Sequence, residues 1–298
     1  MAYAELTNRA TGDVVLEVDH DQIRENFDAL SIGMTPGGRL CGVTADPAGD
    51  SPSTATLYYT PYLHNGVKLY DGANWVYYNF SEISLSLTGL TDAYNHDVFL
   101  YNNAGTLTLE TTQWTNATTR ATAITRQDGV YVRSGSTGRL YLGTIRASAT
   151  GQTIDSVAFR YIWNMYNRIV KNVLITDTTD SWTYSTATWR SWNNNIGNSI
   201  GMVRGLDENL TDVTFTAIYS GGHPVVSLNV GSAGKGSLAS YGSSSSDIDL
   251  LSVRYCAKPG IGYRFLALSE LVLTGTTTFY GDATSANIQS GASGYVKC

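Results

Sequence analysis

The run Val213-Thr214-Phe215-Thr216-Ala217-Ile218-Tyr219 shows the pattern that decides the fold of this chain. Valine, phenylalanine, alanine and tyrosine occupy every second position, which is the period of a β-strand with one buried face. Residues 83–87 and 97–101 alternate in the same way, and Asp71-Gly72 is typical of a hairpin turn. Such patterns recur at intervals of about eight to twelve residues, as in a sandwich or a barrel. The sequence therefore predicts a mainly β protein.

The composition describes an acidic chain with few charges and ample material for a core. Of the 298 residues, 42% are hydrophobic and 15% are charged, and the formal net charge is −6. A negative net charge excludes a general attraction to nucleic acid or to an anionic membrane surface. No apolar run approaches the roughly 18–20 residues that a membrane-spanning helix needs. We therefore predict no nucleic-acid partner and no membrane partner.

A helical pattern near the start of the chain predicts an arm that ends in a docking helix. Asp19 is suited to the N-cap position, and Ile23, Phe27 and Leu30 then recur at helical spacing. A single helix of about a dozen residues is only marginally stable alone. Its apolar stripe therefore has to pack on its own domain or on a neighbouring subunit.

A second helical pattern covers residues 155–168. Val157, Tyr161 and Met165 fall on one stripe of such a helix, and Asp155 or Ser156 is suited to cap it. The predicted helix separates two β-rich halves, so we expect it to connect them.

These patterns divide the chain into four parts. The prediction is two β-rich halves, the C-terminal one a jelly-roll-like sandwich, with an N-terminal arm-helix and one connecting helix. In chain order the predicted parts are the arm and docking helix (1–35), a β-rich domain (36–152), the connecting helix (153–170) and the jelly-roll-like sandwich (171–298).

The sequence shows no motif for metal binding or cofactor binding. The three cysteines, Cys41, Cys256 and Cys298, form neither a disulfide framework nor a metal-ligand spacing. No phosphate-binding glycine loop occurs. We predict no catalytic residue, no metal and no cofactor, and hence a protein that is not an enzyme. A spatial pair of carboxylates for glycoside hydrolysis stays open, because sequence does not show such pairs.

An aromatic cluster in the second half has two interpretations. Trp182, Trp189 and Trp192 occur within eleven residues, and Asn194 follows them. Aromatic faces combined with amide groups suit a platform for binding saccharides. Core packing is the interpretation that we favour, since buried aromatic side chains dominate β cores.

Several runs of the sequence carry a resemblance to a known class of proteins. They are Gln22-Ile23-Arg24-Glu25-Asn26-Phe27, Val67-Lys68-Leu69-Tyr70-Asp71-Gly72, Trp114-Thr115-Asn116-Ala117-Thr118-Thr119, Trp163-Asn164-Met165-Tyr166-Asn167-Arg168 and Thr178-Thr179-Asp180-Ser181-Trp182. Over residues 19–285 the chain resembles structural proteins of tailed-bacteriophage virions. The run at residues 22–27 is similar to the N-terminal segment of phage head-decoration and fibre proteins.

The resemblance implies a structural role in the virion. A decoration or cement protein would sit on the outer capsid surface as a homotrimer and bind the major capsid protein, bridging neighbouring capsomers. The predicted assembly contacts are the two helical stripes, Ile23, Phe27 and Leu30 in the first and Val157, Tyr161 and Met165 in the second. The alternative is a receptor-binding tail or head fibre that recognises cell-surface glycan, with Trp182, Trp189, Trp192 and Asn194 as its platform.

Overall fold

The computed structural model describes residues 35–284 and 288–298, and more than half of the described residues lie in strands. The strands of the first half are β1 (Gly38–Cys41), β2 (Ser51–Thr54), β3 (Thr56–Pro61), β4 (Gly66–Tyr70), β5 (Trp75–Asn79), β6 (Ile83–Ser86), β7 (Asn95–Asn103), β8 (Thr106–Gln113), β9 (Ile124–Gln127), β10 (Val130–Arg133), β11 (Ser136–Ala149), β12 (Gln152–Asp155), β13 (Phe159–Arg160) and β14 (Ile162–Asn164). Those of the second half are β15 (Val170–Thr176), β16 (Ser181–Tyr184), β17 (Arg190–Ser191), β18 (Ser199–Arg204), β19 (Thr211–Gly221), β20 (Pro224–Val230), β21 (Ala239–Tyr241), β22 (Asp249–Ala257), β23 (Gly262–Val272), β24 (Thr277–Tyr280) and β25 (Gly291–Lys297). A single turn of 3-10 helix spans Trp192–Asn194.

The strands form two extended sheets and two small ones. The largest runs in the order β21-β20-β23-β18-β13-β12-β11-β10-β9, with β7 and β8 attached beside β11. A six-stranded sheet has the order β15-β25-β19-β24-β16, and β22 pairs with the free side of β19. Strands β1, β3 and β6 make a three-stranded sheet, and β4 and β5 make an isolated hairpin.

Strand β19 illustrates why the chain folds as a sandwich. Val213, Phe215, Ala217 and Tyr219 are buried, so the alternation along the sequence becomes one inward face of the six-stranded sheet. That face shares a core with inward side chains of β18, β20 and β23 in the large sheet. The prediction of a mainly β protein that contains a sandwich is confirmed.

Two hydrophobic cores lie along the chain. The first draws its buried residues from positions 40–162 and the second mainly from positions 163–298, with Phe99 and Tyr141 added from the first half. The large sheet links the two regions, because β13 pairs in parallel with β18, Phe159 facing Gly201. The domain boundaries stay a prediction.

The prediction of a connecting helix at residues 155–168 is wrong. The chain there ends β12 and then forms β13 and β14, and the described residues contain no α-helix. Ile162, Trp163 and Asn164 are all buried, and β14 pairs with β11. Tertiary pairing overrides the helical spacing of Val157, Tyr161 and Met165, because the residues between them include Phe159, Ile162 and Trp163, aromatic and β-branched side chains that suit strands.

The side chain of Asn164 shows how firmly this segment is held in place. Its Oδ1 accepts the N–H of Leu40 at 2.7 Å, and its Nδ2 donates to the Leu40 carbonyl at 3.1 Å.

The predicted docking helix with Ile23, Phe27 and Leu30 lies outside the described residues. Within the part of the chain that the structure covers, no helix is both long and apolar enough to cross a membrane.

Candidate functional site

One edge of the six-stranded sheet exposes large apolar side chains. Val170 and Leu174 lie on the outer face of β15 and are 61% and 45% exposed, and Val157 is 43% exposed. Val157 lies beside this strand, since its carbonyl accepts the N–H of Leu174 at 2.8 Å. Tyr295 of β25 stands opposite Asn172 and is also exposed. We call Val157, Val170, Leu174 and Tyr295 the β15 edge surface.

Buried charges hold β15 in position behind this surface. Lys171 faces inward, and its Nζ lies 2.5 Å from Asp155 of β12 and 3.0 Å from Asp50. Arg160 also reaches Asp50, at 2.5 Å, and donates to the carbonyl of Asn172. Burial raises the pKa of Asp155 and outweighs the opposite effect of the Lys171 ammonium. The exposed side chains therefore stand on a strand that is fixed from behind.

The opposite edge of the same sheet carries a second apolar surface. Strand β22 is the edge strand beside β19, and β21 is the edge strand of the large sheet. The exposed apolar side chains here, which we call the β22 edge surface, are Leu238, Tyr241, Ile248 and Leu250. A groove of about 210 Å³ lined by Leu228, Leu238 and Tyr255 adjoins them.

The two surfaces lie at opposite edges of the six-stranded sheet and differ in composition. Strands run from β15 through β25 and β19 to β22, so three spacings of ~4.8 Å place the two edge strands ~14 Å apart. The β15 edge surface contains two valines, a leucine and a tyrosine, and the β22 edge surface two leucines, an isoleucine and a tyrosine. Each copy of the chain thus offers two different apolar edges.

The structure separates the residues of the second predicted assembly stripe. Val157 is exposed and belongs to the β15 edge surface, whereas Tyr161 is buried and meets the ring of Tyr263 edge-on at 5.6 Å. Met165 packs against the second core. Sequence reasoning placed a strand at Val173-Leu174-Ile175 but missed Val170 and Leu174 as surface residues, because a run of apolar residues does not reveal which face of a strand meets solvent.

The aromatic cluster at residues 182–192 belongs mainly to the core. Trp192 is 0% exposed, and its ring meets those of Trp182, Phe215 and Phe279 at 4.8–5.0 Å. Trp182 is half-buried and packs against the same core. These contacts agree with the interpretation that Trp182 and Trp192 pack in the core. Trp192 offers no ring face to a ligand.

The remaining members of the predicted saccharide platform lie nearer the surface. Trp189 is partly exposed and Asn194 is exposed. Because Trp192 is buried beneath them, the three tryptophans do not form one exposed aromatic surface. The amides that follow the cluster serve the fold instead, since Asn193 and Asn198 both donate to the carboxylate of Asp177.

A buried carboxylate lies under this cluster. Glu270 is 0% exposed, accepts a hydrogen bond from Trp182 Nε1 at 3.0 Å and lies 2.6 Å from Arg190 Nε. The guanidinium of Arg190 stacks on Tyr184 at 3.8 Å. Burial raises the pKa of Glu270 to about 7, against the opposing effect of Arg190. Its carboxylate is occupied by protein groups, which indicates a structural role.

Another buried ion pair, between Arg120 and Asp97, also contacts the second half of the chain. Arg120 Nε lies 2.7 Å from Asp97 in β7, and its Nη2 donates to the carbonyl of Gly205, after β18, at 2.7 Å. Thr144 donates to the other oxygen of Asp97 at 2.7 Å, and the Arg120 guanidinium lies 4.5 Å from the centre of the Trp114 ring. Burial raises the pKa of Asp97.

His96, the neighbour of this pair along the chain, is buried without a partner for Nε2 among the described residues. Burial lowers its pKa to about 4. Within residues 35–284 and 288–298, no group of three or more His, Cys, Asp or Glu side chains is arranged to hold a metal ion.

Comparison with known proteins gives little similarity. No protein-family model matches the chain, and no curated protein matches it. Solved structures that align with it include three Bacillus thuringiensis proteins. A Cry1Da tryptic core variant is 4% identical, and the alignment covers 82% of this chain and 48% of that chain with a TM-score of 0.21. The mosquito-larvicidal Cry4Aa toxin is 10% identical (84% of this chain, 50% of that chain, TM-score 0.20), and the insecticidal crystal protein Cry7Ca1 is 9% identical (86% of this chain, 54% of that chain, TM-score 0.18). The chain spans about half the length of these proteins. At these TM-scores the similarity supports no inference.

Proposed function

We propose that this protein is a structural component of a tailed-bacteriophage virion, a decoration or cement protein that binds the outer surface of the head as a homotrimer. The resemblance of residues 19–285 to virion proteins supports the location, and the two apolar edges support the assembly. In this proposal the second half is a jelly-roll-like sandwich that projects from the shell, and the major capsid protein is the second partner.

The pair of apolar edges is the observation that carries the proposal. A cyclic trimer needs a heterologous interface, in which one surface of each copy meets a different surface of the next copy. A two-fold dimer needs only one self-complementary surface. The β15 and β22 edge surfaces are different and lie at opposite edges of the six-stranded sheet, the second one extending onto β21 of the large sheet. This arrangement suits a ring of copies.

The size of the apolar surfaces is consistent with a stable interface. Each interface of the ring would cover four large side chains from one copy and four from the next. Because these side chains are about half-exposed, burying the remainder contributes about 1 kcal/mol each. Together they can offset an association cost of several kcal/mol. On a head, three anchored copies would also add their contacts to the shell through multivalency.

Charged substitutions at the two edges test the trimer. We expect Leu174→Asp and Leu250→Asp each to weaken trimer association roughly 100-fold, as for a central interface residue worth more than 2 kcal/mol. Light scattering coupled to size-exclusion chromatography measures the mass over a range of concentrations. Ile196→Asp is the matched control, because Ile196 is 74% exposed and belongs to neither edge surface.

The trimer proposal predicts that the native chain and the Ile196→Asp variant have the mass of three copies. A native chain that stays monomeric at high concentration contradicts it. So does a trimer that both edge variants leave intact. Cryo-electron microscopy of the particle tests the location, with density expected at the three-fold or quasi-three-fold positions of the head. Density confined to the tail would favour the alternative, a fibre that recognises cell-surface glycan.

A further inference from the structure

A cleft lies between the β4–β5 hairpin and the strands β7 and β11. Its volume is about 280 Å³, and the side chains that matter here are Tyr70, Asp71, Tyr78, Tyr101, Asn102 and Arg139. The hairpin is a separate sheet, so the cleft forms where two sheets meet without pairing. Small-molecule sites have volumes of about 300–1,000 Å³, so this cleft fits one small ring rather than an extended ligand.

Aromatic side chains line the cleft. Tyr70, Tyr78 and Tyr101 are all partly exposed. Tyrosine offers an apolar ring face and a hydroxyl that donates or accepts hydrogen bonds, with little conformational entropy to lose on binding. The guanidinium of Arg139 lies 4.8 Å from the centre of the Tyr101 ring, and this contact fixes both side chains.

Polar groups of both hydrogen-bonding types stand between the rings. Asn102 Nδ2 donates to the Tyr78 hydroxyl at 3.0 Å, which orients both groups toward the cleft wall. The carboxylate of Asp71 is exposed and is held by the N–H groups of Ala73 and Asn74 at 2.8 and 2.7 Å. The cleft therefore combines fixed aromatic faces with fixed donors and acceptors.

The charges select the class of ligand. Arg139 Nε lies 2.6 Å from Glu110, but Glu110 also pairs with Arg133, so the positive charge of Arg139 is only partly offset. The remaining guanidinium charge opposes a quaternary ammonium ligand, which aromatic rings alone would attract. The carboxylates of Asp71 and Glu110 oppose a phosphate or an acidic sugar. A neutral ligand avoids both kinds of repulsion, and one with an apolar face and several hydroxyl groups also matches the tyrosine rings and the polar groups of the cleft.

The geometry points to a binding site for one neutral saccharide unit in this cleft, with the sugar ring on the tyrosine faces and its hydroxyls on Asp71, Asn102 and Arg139. The inference does not depend on the capsid proposal, since a head protein or a fibre could carry such a site. It is also separate from the tryptophan cluster, whose members lie on β16, directly before β17 and in the 3-10 helix of the second half.

Saturation-transfer NMR with the full chain and a panel of methyl hexosides tests the site. We expect transfer to at least one neutral hexoside, with millimolar affinity. Tyr101→Ala should weaken that binding about three- to tenfold, and Asn102→Ala should weaken it several-fold without removing a ring. Tyr131→Ala is the matched control, because Tyr131 also stacks with an arginine, Arg126 at 4.6 Å, but lies outside the cleft.

Two kinds of result would overturn the inference. One is the absence of saturation transfer to every neutral hexoside, or transfer to uronic acids alone. The other is binding that Asn102→Ala and Tyr101→Ala leave unchanged, or that Tyr131→Ala reduces equally. Thermal unfolding of each variant shows whether it is folded. Asn102 is exposed, so its variant tests the site even if Tyr101→Ala fails to fold.

Discussion

Replacing Glu270 with glutamine is expected to make the protein less resistant to mild acid. Burial raises the folded-state pKa of Glu270 from 4.5 to about 7. Between these values the folded chain holds a proton that the unfolded chain has lost, so the native carboxyl adds stability as the pH falls. Relative to the native protein, Glu270→Gln should lose about 3 kcal/mol of unfolding free energy between pH 6.5 and 4.5, at about 1.4 kcal/mol per pH unit.

His96 has the opposite effect over nearly the same range. Its folded-state pKa is lowered from 6.5 to about 4, so the unfolded chain takes up a proton that the folded chain refuses. This group removes stability as the pH falls from 6.5 to 4. The two buried groups therefore offset each other in the native protein. When the pH falls from 6.5 to 4.5, the unfolding free energy of His96→Phe should rise by about 3 kcal/mol relative to that of the native protein.

Urea unfolding of the native chain and its variants at pH values from 4.5 to 7 measures both effects. The difference between a variant and the native protein isolates the substituted group, because other titrating groups are common to both. The double variant Glu270→Gln with His96→Phe is the control, and its pH profile should run parallel to that of the native protein. A Glu270→Gln profile that is itself parallel to the native one would show that burial does not shift this carboxyl.

Arg120→Met is expected to destabilise the fold by about 3–5 kcal/mol at neutral pH. The substitution leaves Asp97, which is buried, without its cationic partner, and it removes the hydrogen bond to Gly205 that links the two halves. Breaking one side of a buried pair costs more than the pair contributes, since the remaining charge stays out of water.

A second substitution separates this effect from simple loss of packing. In the double variant Asp97→Asn with Arg120→Met no charge is left uncompensated, so part of the loss should be recovered. Arg133→Met is the matched control, because Arg133 is partly exposed and Glu110 keeps Arg139 as a partner. We expect it to cost less than about 1 kcal/mol. Equal losses for Arg120→Met and Arg133→Met in urea unfolding would contradict the role given to the buried pair.

Strand β14 shows where the sequence is ambiguous. The segment from Val157 to Met165 has apolar residues at helical spacing, yet Ile162, Trp163 and Asn164 are buried together between sheets. A strand that is buried on both faces shows no alternation, so its period does not distinguish it from a buried helix. Only the pairing with β11, which is remote in sequence, decides between them.

The candidate surfaces also combine features that the sequence predicts with features that only the tertiary structure decides. The run Val173-Leu174-Ile175 predicts a strand, but its position at a sheet edge depends on which strands pair beside it. The saccharide cleft joins Tyr70 to Tyr101 and Arg139, residues that no local pattern connects. The tryptophan cluster was recognised from sequence, and the structure decides that Trp192 belongs to the core.

The mainly β class follows from the sequence alone, because period-two alternation and turn residues are local properties that each segment expresses independently of its neighbours. The choice of buried and exposed faces, the buried pairs at Asp97 and Glu270, and the two apolar edges are decided only by the tertiary structure. Each of these features depends on contacts between residues far apart in the chain, and burial of a charge or an apolar group is a property of those contacts.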